Sequence, residues 1–192
     1  MKLNDFIDKY SDNLSSMLKN IDKKAVSAIV KAFEKTSEKG SRIYVIGNGG
    51  SCSTASHWAN DFAIVLKRRN LANFDMISLG DNAAVCSAIA NDIGYENIYH
   101  EQLREVLKPD DVLLAISCSG NSPNIVKAVK YAKETGATVI GCTGFDGGEL
   151  RKDSDIVFHI STEKGEYGLV EDMHLILDHI IYSYYIQKGA DD

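Results

Sequence analysis

Five short apolar runs recur along this chain with helix-patterned segments between them, and that alternation constrains the fold more than any other feature. The runs are 42–46, 75–79, 111–116, 138–142 and 156–160. Each has strand length and, 75–79 excepted, is apolar at nearly every position, the pattern of a strand buried on both faces rather than one. Helical spacing predicts helices over about 51–66, 83–91, 95–107, 122–135, 147–152 and 169–187. Strands separated by helices cannot pair as hairpins; they form a parallel sheet covered on both sides, a three-layer doubly wound α/β sandwich with five strands. Pro109 and Pro123 mark element boundaries, the first ahead of a strand and the second in a helix's first turn.

Ahead of the first strand, apolar positions at Leu3, Phe6, Ile7, Tyr10, Leu14 and Leu18, then at Ala25, Ile29, Val30, Ala32 and Phe33, predict two helices. The first stripe needs a partner, either within the chain or across a subunit boundary. No repeat, linker or low-complexity segment interrupts the 192 residues, so a single domain is expected over 1–192, with a helical extension at 1–40 and an α/β core at 41–192. A net charge of −6 without a dense basic block argues against nucleic acid as a partner, and Lys67-Arg68-Arg69 reads as a solvated helix end. Neither a membrane-length apolar run nor the apolar centre of a signal peptide is seen, so a cytoplasmic protein without a membrane partner is expected. Cys52, Cys86, Cys118 and Cys142 lack metal-type spacing and read as buried reduced thiols.

Two polar loops follow two of the strands. Gly47-Asn48-Gly49-Gly50-Ser51 leads from the first strand into a helix, but it has neither the dinucleotide fingerprint nor a phosphate-loop lysine. Ser117-Cys118-Ser119-Gly120-Asn121-Ser122 follows the third strand, and its hydroxyls together with the N–H groups of the next helix form a cradle for a phosphate monoester. The alternative is that Ser122 only caps the helix and the other serines only turn the chain.

On the helix after the first loop, His57 and Asp61 are four residues apart and share a face. The last helix offers Glu171, His174, Asp178 and His179, with 171 and 179 roughly 80° apart around its axis. Imidazole and carboxylate make a good ligand set for a first-row metal, although an isolated pair of this kind is ordinarily a surface contact.

Taken together, the Gly47–Ser51 loop with His57, the segment Ala90-Asn91-Asp92-Ile93-Gly94, the loop Ile116–Ser122 and the stretch Glu171–His179 closely resemble the phosphoheptose isomerases of the sugar isomerase (SIS) superfamily, over nearly the whole chain. The resemblance implies a SIS, flavodoxin-like fold and an aldose–ketose isomerase that converts sedoheptulose 7-phosphate to D-glycero-D-manno-heptose 7-phosphate for surface polysaccharide. It also implies a homotetramer with one zinc ion per subunit. By matching position, substrate would be contacted by Asn48, Gly49, Gly50, Ser51, Asn91, Asp92, Ser117, Cys118, Ser119, Ser122 and Glu171. Zinc would be held by His57, Asp61, Glu171 and His179, with Asp61 as catalytic base and His179 as its acid partner.

Four positions depart from the family pattern. Asp61 stands where a glutamate is usual, Glu171 where a glutamine is usual, Cys118 in place of a threonine, and Val65 where a basic residue is expected. The shorter Asp61 side chain withdraws the carboxylate by about one methylene, and the extra charge of Glu171 favours a bound cation. Because of these changes, an isomerase for a different phosphosugar, a non-catalytic SIS sensor and a replication-initiator-binding scaffold stand as alternative readings.

Overall fold

Parallel pairing of five strands organises the protein, as seen in a computed structural model that describes residues 2–191, with the side chains of 190 and 191 left aside. The strands are β1 (Arg42–Gly47), β2 (Asp75–Ser78), β3 (Val112–Ser117), β4 (Thr138–Gly144) and β5 (Ile156–Ile160), in the order β2-β1-β3-β4-β5. Every neighbouring pair is parallel, with Ile43 opposite Val112 and Leu114 opposite Ile140 setting the central register.

Successive strand residues point to opposite faces, and the sheet sorts its apolar side chains accordingly. Ile43, Val45, Leu114, Ile116, Ile140 and Cys142 pack on one side, beneath α2 (Lys23–Glu38), α3 (Gly50–Ala59) and α9 (Tyr167–Asp191). Tyr44, Ile46, Leu113, Ala115 and Val139 pack on the other, where α6 (His100–Leu103), α7 (Pro123–Thr135) and α8 (Gly148–Asp153) contribute Leu103, Ile125, Val129 and Leu150. This is the expected three-layer sandwich. Its first core is anchored by Phe33, whose ring meets Trp58, Phe62 and Phe74 edge-on at 5.7, 5.7 and 6.2 Å.

Two segments differ from the sequence-based expectation. Instead of one helix over 95–107, the chain makes a 3₁₀ turn at Tyr95–Asn97, then α6, and then turns out of helix at Glu105, whose φ is 66°. Only Ile98, Tyr99, Leu103 and Leu107 of that stretch reach the core, too few apolar anchors to hold three continuous turns down. In the other segment, the helix over 51–66 widens into a π-helical segment at Asn60–Val65 before a last turn, α4 (Leu66–Arg68). The widened segment carries Asp61, and such distortions concentrate where a helix serves a site. Lys67, Arg68 and Arg69 lie exposed at the end of this helix, as expected. All four cysteines are free; Cys118 and Cys142 are buried, whereas Cys52 and Cys86 are only partly so.

The first helix, α1 (Leu3–Lys19), lies against α9 of its own chain, where the Tyr10 hydroxyl donates to Asp172 at 2.6 Å. That bond, with partial burial, pushes the Tyr10 phenol up to about 12. Leu3, Phe6 and Ile7 remain exposed at 71, 47 and 50%. α5 (Ala83–Ile93) follows β2 in the chain and lies against the 3₁₀ turn at Tyr95–Asn97. No helix among the described residues is long and apolar enough to cross a membrane.

His174 belongs to the core rather than to a site. It is 1% exposed, its Nε2 lies 3.3 Å from the Thr143 carbonyl, and its Nδ1 has no partner. Burial pulls its pKa down to about 4, so the folded protein holds it neutral while the unfolded chain protonates it near 6.5. Between these values the unfolded state binds the extra proton, and stability is lost as pH falls through that window by up to about 1.4 kcal/mol per unit. Urea titrations from pH 7 to 4 will show this loss in the native protein and a smaller one in His174→Leu. In the same assay at pH 7, Phe33→Ala will cost about 3–5 kcal/mol, because it empties the centre of the aromatic cluster.

Candidate functional site

A doubly wound sheet opens a crevice where its winding reverses, and here the reversal falls between β1 and β3. The chain leaves β1 toward β2 and leaves β3 toward β4, so the loops after these adjacent strands diverge. Those loops are Asn48–Gly49 and Cys118–Ser122, the two that the sequence singles out.

In the first loop Gly49 adopts φ 55° and ψ −121°, a conformation closed to side chains, and α3 starts immediately after it. At Gly50 even a methyl group would collide with the Glu171 carboxylate, so the glycine lets α9 bring that carboxylate against the start of α3. The Asn48 amide is held by fully buried Asn124: each donates to the other, at 2.9 and 2.8 Å, and Tyr95 donates to Asn48 at 3.0 Å. Gly47 in turn accepts from the buried Tyr99 hydroxyl.

In the second loop the serine hydroxyls brace the turn as acceptors. Ser117 Oγ accepts from the Gly120 N–H at 3.1 Å and Ser119 Oγ from the Asn121 N–H at 3.3 Å. Each retains its own O–H to donate to a ligand. Ser122 sits at the N-cap of α7 without making a capping bond, so it is not committed to the capping role that the alternative reading gives it. Between the loops lies a cavity of about 160 Å³, bordered by Asn48, Ser51, Ser117, Cys118, Ser119, Ser122, Tyr167 and Glu171. A second cleft of about 310 Å³ shares Ser119 and brings in Asn121, Thr162 and Lys164. Burial, then the charge of Glu171, pushes the Cys118 thiol up to about 11, so it stays protonated at neutral pH and is no nucleophile. Asn91 and Asp92 lie exposed at the end of α5, bonded to each other at 2.9 Å; that segment reaches the crevice through Tyr95.

Along the α3–α9 seam a group of metal-competent side chains gathers. His57, Asp61, Asp178 and His179 each offer a donor atom within 4.8 Å of the others. The two imidazole Nε2 atoms are 3.1 Å apart, and His57 Nε2 stands 3.4 Å from Asp61 Oδ2 and 3.7 Å from Asp178 Oδ2. Asn60 holds the other oxygen of Asp61 at 2.9 Å. Asp178 is fully buried and neither oxygen has a hydrogen-bond partner; burial, then the facing Asp61 carboxylate, pushes it up to about 8. Two imidazoles and two carboxylates converging in this way are a donor set that fits zinc or a similar divalent ion.

Three of the four expected ligands, His57, Asp61 and His179, meet in this group, whereas Glu171 does not join it. Seven residues, or two turns, separate Glu171 from Asp178 and put it about 10 Å along α9. There its carboxylate faces Gly50, itself seven residues before His57 on α3, and borders the serine cavity instead. Sequence reasoning also missed Asn124, Tyr95 and Lys164, which no motif marks; it named Asp178 among the donors of the last helix but gave the fourth ligand position to Glu171.

The SIS domain family profile matches residues 5–144 of the chain. A phosphoheptose isomerase of Nitratidesulfovibrio vulgaris is 35% identical over 148 residues, 76% of this chain and 69% of that protein. One from Clostridium acetobutylicum is 35% identical over 156 residues, 81% of this chain and 78% of its own length. The solved structure of a phosphoheptose isomerase from Francisella tularensis superposes with a TM-score of 0.88 at 26% identity, covering 97% of this chain and 100% of that one. On the strength of these matches, the chain belongs to the phosphoheptose isomerase family of SIS domain proteins.

Proposed function

We propose that this protein is an intramolecular oxidoreductase that interconverts sedoheptulose 7-phosphate and D-glycero-D-manno-heptose 7-phosphate in the cytoplasm, supplying heptose for surface polysaccharide. The observation that carries this reading is the position of the hydroxyl-lined serine cavity and the His57–Asp61–His179 group on either side of Glu171 and the start of α3. A sugar phosphate is a ligand with a phosphate at one end and the reacting carbons at the other. Ser117, Ser119 and Ser122, with the backbone of Cys118 and the N-terminus of α7, receive the phosphate; Lys164 adds positive charge from the neighbouring cleft. Asn48, Gly49, Gly50 and Ser51 run along the sugar, and Glu171, Asn91 and Asp92 contact its hydroxyls.

The chemistry needs one proton moved between adjacent carbons and a second exchanged between their oxygens. Asp61 takes a proton from C1 of the ketose; the electron pair left behind forms the C1=C2 bond of an enediol while the C2 oxygen gains a proton from His179. Asp61 returns its proton to C2, the C1 hydroxyl gives its proton to His179, and the aldose results. With His179 Nε2 turned into the donor group, Nδ1 is the nitrogen that exchanges the proton. Zinc, one ion per subunit, held by His57, Asp61 and His179, supplies Lewis acidity for the charge that develops on the oxygens. The whole chain acts as one SIS domain, and a homotetramer covers the exposed Leu3, Phe6 and Ile7 of α1.

The test is an isomerisation assay on sedoheptulose 7-phosphate, run with chelator and again after zinc replacement. Turnover is expected with zinc; its absence under every condition overturns the heptose assignment, and turnover of other phosphosugars alone redirects it to them. Asp61→Asn will lower kcat by about 10²- to 10⁴-fold with little change in KM, the usual weight of a general base. Ser119→Ala will instead raise KM, and it will do so for the phosphorylated sugar only.

A further inference from the structure

The buried carboxylate of Asp178 is the most anomalous group in the protein. It is completely shielded from water, neither oxygen accepts a hydrogen bond, and it faces a second buried carboxylate, Asp61, which is 7% exposed. Burying one unpaired carboxylate is costly, and burying two side by side is worse, unless one of them holds a proton or a positive charge sits between them. No lysine or arginine supplies it: among the described residues the cationic or potentially cationic neighbours of Asp178 are the His57 and His179 imidazoles, with Nε2 atoms 3.7 and 3.9 Å from Oδ2. Those imidazoles turn their Nε2 atoms toward each other at 3.1 Å, close to the separation of two ligand atoms around one small cation. All four residues bring a donor atom within 4.8 Å of the others.

Building on the proposed metal site, we infer that Asp178 is the fourth protein ligand of the divalent cation, in the place that the family pattern gives to residue 171. A cation with a charge of +2 is then balanced by Asp61 and Asp178, leaving a neutral centre over the two buried carboxylates, and the orphaned Asp178 carboxylate gains a partner. The same arrangement explains why a glutamate is tolerated at 171. Relieved of the metal, Glu171 lies two turns away against Gly50, where its carboxylate borders the sugar cavity. Ligand duty has moved along α9 by two turns, from one position of the helix stripe to the next.

Metal binding tests this without reference to turnover. Metal-stripped protein is titrated with Co²⁺, followed by its d–d absorption, and with Zn²⁺ by calorimetry. The native chain will bind one ion. Asp178→Asn will weaken binding by about 100-fold or more and change the cobalt spectrum, a larger loss than the 10- to 100-fold typical of residues that only support a ligand. Glu171→Gln will keep native affinity and spectrum. Circular dichroism and thermal unfolding in chelator confirm that the variants fold; Asp178→Leu, which fills the same buried space with an apolar group, is the second variant and carries the same expectation. Native affinity in the Asp178 variants, loss of affinity in Glu171→Gln, or no metal bound by the native chain overturns the inference. A native chain that isomerises the heptose phosphate without binding metal fails this inference alone, whereas one that binds metal through Asp178 but never turns over fails the proposed function alone.

Discussion

The parallel pairing of β1 with β3 is the constraint on which the rest of this structure depends. These two strands are neighbours in the sheet, yet the helices that follow them lie on opposite faces. The loops at their ends are therefore forced apart, and the crevice exists before any side chain is chosen to line it. Both faces of the sheet must be covered to bury these apolar strands, so α3 and α9 on one side and α7 on the other are fixed in place by the same burial that holds the core together. Rigid placement of this kind suits chemistry that depends on sub-ångström positioning of a carboxylate.

Around that crevice polar side chains are arranged in two distinct ways. In the loops they are satisfied by neighbours: Asn48 by Asn124, Ser117 and Ser119 by backbone amides of the turn. Such bonds orient a group and leave one donor free to reach a ligand. At the α3–α9 seam Asp178 is not satisfied, and it keeps two buried oxygens without partners. Native proteins rarely leave such groups alone, and those that do so commonly reserve them for a bound ion or substrate. The π-helical segment that begins at Asn60 belongs to the same picture, because it widens α3 where Asp61 must face α9.

Much of this was legible in the residues. The five strands fall where apolar runs predict them, because the central strands β1, β3 and β4 are buried on both faces and need nearly uninterrupted apolar runs. The serine loop and the His57–Asp61 pair were equally legible, since each is local: one turn of chain, one face of one helix. The region after α5 was read less well. Its 95–107 stretch carries helical spacing but ends in a turn at Glu105, a choice made by how few of its side chains find the core. Asn124, Tyr95 and Lys164 carry no signal of their own; they matter through partners 76 and 47 residues away in the case of the two that hold Asn48.

The sequence by itself determined the layer architecture, the two polar loops and the supply of donors on the last helix, because strand runs, glycine turns and helical spacing are properties of adjacent residues. Tertiary structure alone decided which of those donors meet. Glu171, His174, Asp178 and His179 are equivalent candidates along one helix, but the docking of α9 turns His174 into the core, lays Glu171 on Gly50 and directs Asp178 and His179 at His57 and Asp61. The reason is geometric: a helix carries its side chains around its whole circumference, and only the position of its neighbour selects the face and the turn that serve the site.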